Sequence, residues 1–280
     1  MATEKLDLKG FSIIKRLGSG ARTTIYLALD DETKTKVALK RAVFEKPQDS
    51  RIFEQIITEY KVSKQIDHPY LRKCYKLIKI RKNFKTVQLL LSMELFEGQA
   101  LEDSKTLSLG DVLLVFRMVA TGLSAMHRSG YIHCDIKPNN ILINDDGSIK
   151  IIDLGQCCKI GTVKNRIQGT PDYIAPEQVH REQLDERTDI FNLGATMYWA
   201  LTGKNIPTMI PQADSLLPTA KNHKALAPHQ IYKKIPLGIS KLVMDCIKEV
   251  PSQRPANMTA IVSRLDLLIH SIFEKKLSSQ

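Results

Sequence analysis

Residues 132–155 read IHCDIKPNNILINDDGSIKIIDLG, and the fold is decided by how this stretch is read. A tight polar loop presents Asp135, Lys137 and Asn140, and an apolar run then returns a second acid, Asp153, 18 residues after the first. Two acids, an amide and a lysine are thereby gathered. A carboxylate can orient a hydroxyl nucleophile, an amide and a carboxylate oxygen can hold Mg²⁺, and a lysine can neutralise a transferring phosphoryl group. Phosphoryl transfer is the chemistry that suits this set of groups.

Upstream, Leu17-Gly18-Ser19-Gly20-Ala21 forms a turn between two alternating apolar segments. Glycines let a backbone approach phosphates closely and point N–H groups at them, although an ordinary hairpin turn also accounts for two glycines. Val37-Ala38-Leu39-Lys40 sets a lysine in an apolar strand. Such a lysine either faces solvent from an edge strand or has a partner, and Glu59 in the segment that follows has the right sign.

Taken together, these segments resemble the eukaryotic-type protein kinases. In that family the catalytic loop reads H-R-D-L-x-x-x-N, the metal loop D-F-G and the strand lysine V-A-I-K. The resemblance extends through Gly169-Thr170-Pro171-Asp172-Tyr173-Ile174-Ala175-Pro176-Glu177, Thr188-Asp189-Ile190-Phe191 and Ser252-Gln253-Arg254-Pro255, and so covers residues 11 to about 270. It implies an α+β, bilobal kinase-like fold: a five-stranded antiparallel sheet with one helix at 11–96, a mostly helical lobe at 97–270, ATP in the cleft, and tails at 1–10 and 271–280.

By the same resemblance Asp135 is the catalytic base, Lys137 stabilises the phosphoryl group, and Asn140 with Asp153 holds Mg²⁺, Mn²⁺ being the alternative ion. Leu17, Gly18, Ser19 and Gly20 cover the phosphates, while Lys40 pairs with Glu59. Glu94 and Phe96 bind adenine through the backbone, and Ile25, Ala38 and Leu142 pack against its faces. Asp189 is expected to hold the catalytic-loop backbone and Arg254 to pair with Glu177. The I-K-P-N-N spelling is similar to serine/threonine enzymes, in particular bacterial ones, and the 169–177 segment to their polypeptide-docking segment. Protein substrates with Ser/Thr acceptors follow, rather than small molecules. The rival reading is a pseudokinase-type scaffold of the same fold.

Three departures stand out: Thr23 for the third glycine, Leu154 for phenylalanine, and Cys134 for the arginine before the catalytic acid. An arginine there can dock an activation-loop phosphate, whereas Cys134 has neither the charge nor the reach. Activity independent of activation-loop phosphorylation is therefore expected. Small buried hydrophobes are the favoured reading of Cys134, Cys157 and Cys158, with a redox role as the alternative.

Composition sets the outer limits. With 43% hydrophobic and 25% charged residues, the chain can bury a large core. The net charge of +11 is concentrated before Phe96, where 20 Lys/Arg face 11 Asp/Glu, against 21 and 19 from there on. Arg72, Lys73, Lys76, Lys79, Arg81, Lys82 and Lys85 carry much of the excess, read as a solvated hairpin face or as a dock for an acidic partner. Nucleic acid is disfavoured. The five cysteines have neither disulfide-scaffold density nor a repeated metal spacing. No unbroken apolar run reaches the roughly 20 residues of a membrane span, and the first ten residues have no apolar signal core. A soluble protein of the reducing cytoplasm is expected.

Alternation predicts strands within 11–44 and 71–95, and helical spacing predicts helices at 49–65, 109–129, 188–202, 240–249 and 257–276. Short strands are expected around 141–143 and 149–152. The Pro-rich stretch 203–238 has no clear period, and the closing KLSSQ is expected to fray.

Overall fold

A computed structural model describes residues 8–20, 22–104, 107–207 and 225–277. Ala21 of the glycine turn, most of the Pro-rich stretch and the outermost parts of both tails lie outside the described residues. The chain separates into two compact units. The first runs to Asp67, resumes over Leu71–Glu97 and takes in Asp153–Gly155; the second holds His68–Tyr70, Gly98–Ile152 and everything from Gln156 on.

The first unit is a five-stranded antiparallel sheet built from β1 (Phe11–Gly20), β2 (Thr23–Asp30), β3 (Lys36–Val43), β4 (Cys74–Lys82) and β5 (Lys85–Met93), in the order β1-β2-β3-β5-β4. Between β3 and β4 lies helix α1 (Ser50–Ser63). Alternation sorts the side chains of each strand onto two faces. Ala38, Ala42, Leu89, Leu91 and Met93 pack with Phe53 and Ile56 of α1, while Val37, Leu39 and Leu90 pack with Leu8, Phe11 and Ala28 on the other face. The β4–β5 turn is tight, with Lys82 paired to Lys85 and both Asn83 and Phe84 at positive φ. Two left-handed residues match the twist of a two-residue hairpin.

The basic stretch is not the uniform solvated face that its sequence suggests. Arg72 is buried against Glu59, Lys73 pairs with Asp67, and Lys76 bridges Asp30 and Glu32. Lys79, Arg81, Lys82 and Lys85 remain exposed on the hairpin.

The second unit contains β6 (Gln99–Ala100), α2 (Leu109–Arg128), β7 (Tyr131–Ile132), β8 (Ile141–Ile143), β9 (Ile149–Ile151) and β10 (Cys158–Lys159). These are followed by α3 (Pro176–His180), α4 (Glu186–Thr202), α5 (Pro228–Ile231), α6 (Leu237–Cys246) and α7 (Met258–Leu277). Ser108 starts α2 through a capping box with Asp111 and so satisfies two end N–H groups. Helix α2 is long and apolar enough to cross a membrane, although Asp111 and Arg117 interrupt its apolar run. It is mostly buried inside its own unit, as a core helix is.

Helix α6 starts three residues earlier than predicted, directly after Pro236, and α7 extends through Lys276 and Leu277 of the closing KLSSQ. Helix α4 is buried on nearly every side from Thr188 to Tyr198. Gly194 lets it approach α6, since an added Cβ would lie 2.5 Å from Cys246 Cβ. Gly194→Ala should therefore cost about 1–3 kcal/mol by overpacking, measurable as a lower urea midpoint with an unchanged slope.

Candidate active site

In the first unit the site grows out of the α1-facing side of the sheet. Lys40 follows Ala38 at a two-residue interval on β3 and so shares its face. Glu59 continues the buried stripe Phe53–Ile56 at helical spacing. A carboxylate in that stripe needs a cation, and Lys40 Nζ donates to Glu59 Oε2 at 2.8 Å and to Asp153 Oδ1 at 3.4 Å. Burial by itself would push the Lys40 ammonium down. The charges of Glu59 and Asp153 outweigh it and hold the group above its ordinary value, so the lysine stays charged. Arg72 Nη2 reaches the other Glu59 oxygen at 3.5 Å.

The glycine turn continues the β1–β2 ladder, with Gly18 opposite Ile25 and Gly20 opposite Thr23. A Cβ on Gly20 would lie 3.2 Å from Thr23 Oγ1, but one on Gly18 would meet nothing within 4 Å, and Gly18 does not have positive φ. Neither backbone strain nor an internal neighbour accounts for a glycine there. Ile25 and Ala38 belong to the cluster on the Lys40 face, and Leu17 is half-exposed. Glu94 follows β5, its N–H donating to the Lys73 carbonyl, and Phe96 lies two residues beyond.

In the second unit the loop between β7 and β8 is fixed by its backbone. Asp189 of α4 accepts from the N–H of His133 and of Cys134, each at 2.8 Å, and from His127 Nε2 at 2.8 Å. Burial pushes the Asp189 carboxyl up, yet the hydrogen bond and charge of His127, then the hydrogen bond from the His133 N–H, win and hold it below its ordinary value. His133 Nδ1 accepts from the Asp135 N–H, which leaves Nε2 to donate to the Ile152 carbonyl. The chain thereby turns at Cys134, whose φ is 66°.

This turn presents Asp135. Its Oδ1 accepts from Thr170 Oγ1 at 2.9 Å, and its Oδ2 lies 3.2 Å from Lys137 Nζ. Lys137 Nζ also donates to Thr170 Oγ1 at 2.8 Å. Asn140 Nδ2 donates to the Asp135 carbonyl at 2.8 Å and to Oδ2 at 3.3 Å, which leaves its amide oxygen for other work. Asp135, Lys137 and Asn140 are thus brought together, while Asp153 lies beside Lys40. Leu142 is on β8, opposite Ala100 and Lys150.

Several contributors escaped the sequence reading. Thr170 was seen only as part of a docking segment. Gln178 Nε2 donates to the Cys134 carbonyl at 2.8 Å, and Thr196 Oγ1 donates to the Ile136 carbonyl at 3.2 Å. Asn192 donates to the Tyr173 carbonyl. The available signal was the polar series Asp189, Asn192, Thr196 at i, i+3, i+7, one stripe of an otherwise apolar helix. Arg254 closes the frame on Glu177 with two bonds of 2.7 and 2.9 Å, as expected.

Comparison with known proteins places this geometry in a family. Residues 11–265 match the family model described as protein kinase domain. The chain belongs to that family. The chain is 27% identical to a probable serine/threonine-protein kinase of Clostridium acetobutylicum over 91% of its own length and 39% of that protein's. It is 29% identical to the serine/threonine-protein kinase PknL of Mycobacterium tuberculosis, over 92% and 65%. With serine/threonine-protein kinase 4 homolog B of Dictyostelium discoideum the identity is 29%, over 95% and 23%. The chain therefore spans less than two thirds of each of these relatives.

Asp189→Asn should destabilise the kinase domain by about 3 kcal/mol near neutral pH, because an amide cannot accept all three donors of this buried cluster. The native carboxyl is held below 3.8. Its contribution is accordingly complete above that value and lost as pH falls through the lower folded-state value. Denaturant titrations across the acid range should show the gap between wild type and variant closing only on the acid side.

Proposed function

We propose that this chain is a serine/threonine protein kinase that transfers the γ-phosphoryl group of ATP to Ser/Thr hydroxyls of proteins. The carrying observation is the Thr170 hydroxyl, which donates to Asp135 and accepts from Lys137. A hydroxyl with its proton on a carboxylate and its oxygen against an ammonium is what an acceptor serine or threonine requires. In this reading Asp135 orients the substrate hydroxyl and takes its proton, and Lys137 balances charge on the phosphoryl oxygens.

Lys40, kept charged and aimed by Glu59, takes the non-transferred phosphates. Leu17, Gly18, Ser19 and Gly20 cover them, and the open space at Gly18 suits close backbone approach. Glu94 and Phe96 take adenine by backbone hydrogen bonds, with Ile25, Ala38 and Leu142 as apolar packing. Asn140 and Asp153 supply the amide and carboxylate oxygens that Mg²⁺ or Mn²⁺ prefers, a donor set that fits. When bound, the ion neutralises phosphate charge.

The family match over residues 11–265 and the serine/threonine-kinase names of the relatives support this reading. The complete set Lys40, Glu59, Asp135, Asn140 and Asp153 weighs against a pseudokinase. We take the catalytic domain as 11–270, with portions 11–96 and 97–270. A cytoplasmic setting accords with the cysteine usage. The exposed cations of the β4–β5 hairpin, with Phe84 fully exposed at its tip, are the part of the basic surface left for an acidic partner.

The test is Mg-ATP turnover on a generic protein substrate. Asp135→Asn should lower kcat on the order of 10²- to 10⁴-fold, and equal rates for variant and wild type would remove the enzyme claim. Thr162→Ala should keep wild-type turnover, because the position before Asp135 is a buried, uncharged cysteine with no means of docking a phosphate. Loss of activity restored by Thr162→Glu would show the opposite.

A further inference from the structure

The departure at Cys134 has a second partner in the sequence. Cys134 Sγ lies 3.6 Å from Cys158 Sγ, within an apolar cluster with Ile132 and Leu184. Cys158 stands opposite Ile132 in the β7–β10 ladder, so Cys134, two residues on, is its diagonal neighbour. Cys134 is fully buried and Cys158 partly exposed.

The two sulfurs are not equivalent. The hydrogen bond with Cys134 holds the Cys158 thiol below its ordinary value against the cost of burial, and the Lys164 ammonium adds to the effect. The same hydrogen bond, with burial, keeps Cys134 protonated. Two other core cysteines contrast with this pair: burial pushes Cys74 and Cys246 up to about 12, which leaves them inert. A lowered, partly exposed thiol beside a second thiol is the arrangement of a reactive and a resolving cysteine.

We propose that Cys134 and Cys158 form a redox modification site, closing to a disulfide that ties the catalytic loop to the segment leading to Thr170. The oxidant is a peroxide. The Cys158 thiolate attacks one peroxide oxygen, forming a sulfenic acid and releasing hydroxide. Cys134 then attacks that sulfur, forming the S–S bond as its own proton and the sulfenic hydroxyl leave as water. Overall, two thiols are oxidised, one peroxide is reduced and two waters form.

Bonding requires the sulfurs to close from 3.6 Å to about 2.05 Å. The backbone of Cys134 stays in place as they close, because Asp189 holds its N–H and Gln178 its carbonyl, each at 2.8 Å. Side-chain rotation at the two cysteines and a shift of the two-residue strand β10 close the gap. A covalent tie thus stands where an arginine would have docked a phosphate. Its regulatory meaning rests on the phosphoryl-transfer reading of Asp135, whereas the bond itself does not.

The experiment uses the full chain, purified under reductant, exposed to stoichiometric hydrogen peroxide, alkylated, and digested without reduction for mass spectrometry. A peptide linking Cys134 to Cys158 is expected, along with a rise in thermal midpoint, both reversed by a dithiol. Cys157→Ser should retain both and Cys158→Ser should lose both. A Cys157–Cys158 link, sulfinic acid at Cys158, or two unmodified thiols in folded protein would each overturn the proposal. If the link forms but neither state transfers phosphoryl groups, the kinase reading fails and the modification site stands.

Discussion

One carboxylate sets the shape on which the rest depends. Asp189 is completely buried and accepts from two successive backbone N–H groups and a histidine. Without it, the N–H groups of His133 and Cys134 would be buried donors with no acceptor, and the turn at positive φ would be held mainly from its carbonyl side, by Gln178, Asn140 and Thr196. The cost of desolvating Asp189 is offset by charge-assisted bonds, which are the stronger kind. Asp135 takes its backbone position from this arrangement, and Thr170, Lys137 and Asn140 then hold its side chain.

The support spreads outward from the same helix. Asn192 and Thr196 extend the polar stripe to the Tyr173 and Ile136 carbonyls, and Gln178 joins Cys134 to Gln168. Glu177 and Arg254 form a second buried ion pair, with Thr188 donating to Glu177 and the Arg254 guanidinium over the Phe191 ring. Most of these buried polar atoms therefore find partners among others equally buried, His127 Nδ1 and Asn192 Oδ1 being the exceptions. Such a network is stiff because losing one member strands its neighbours.

How much of this was legible follows from the kind of constraint involved. The strands of the first unit, α1, α2 and the Lys40–Glu59 pair are set by periodicity and by the need to neutralise a charge in an apolar stripe, and both leave marks in the sequence. Asp135, Lys137 and Asn140 share one short loop, so their meeting could be read directly. Thr170 sits 35 residues from Asp135 and Arg72 13 residues from Glu59, and no local pattern links them. Arg72 reads with the hairpin charges because neighbouring residues in sequence carry the same sign, while its burial follows from its place two residues before β4, against Glu59. The approach of Cys134 to Cys158 depends on the register of two-residue strands, which is weakly specified by pattern.

The Asp189 clasp also dictates timing. Its acceptor lies 55 residues beyond the Cys134 N–H that it holds. During synthesis at about 5–20 residues per second, the loop bearing Asp135 is complete roughly 3–11 s before its clasp has been made. The nascent chain thus carries its acid, lysine and amide in an unset loop until α4 has been made, and a ribosome stalled in that interval holds a protein whose most polar loop has yet to find its shape.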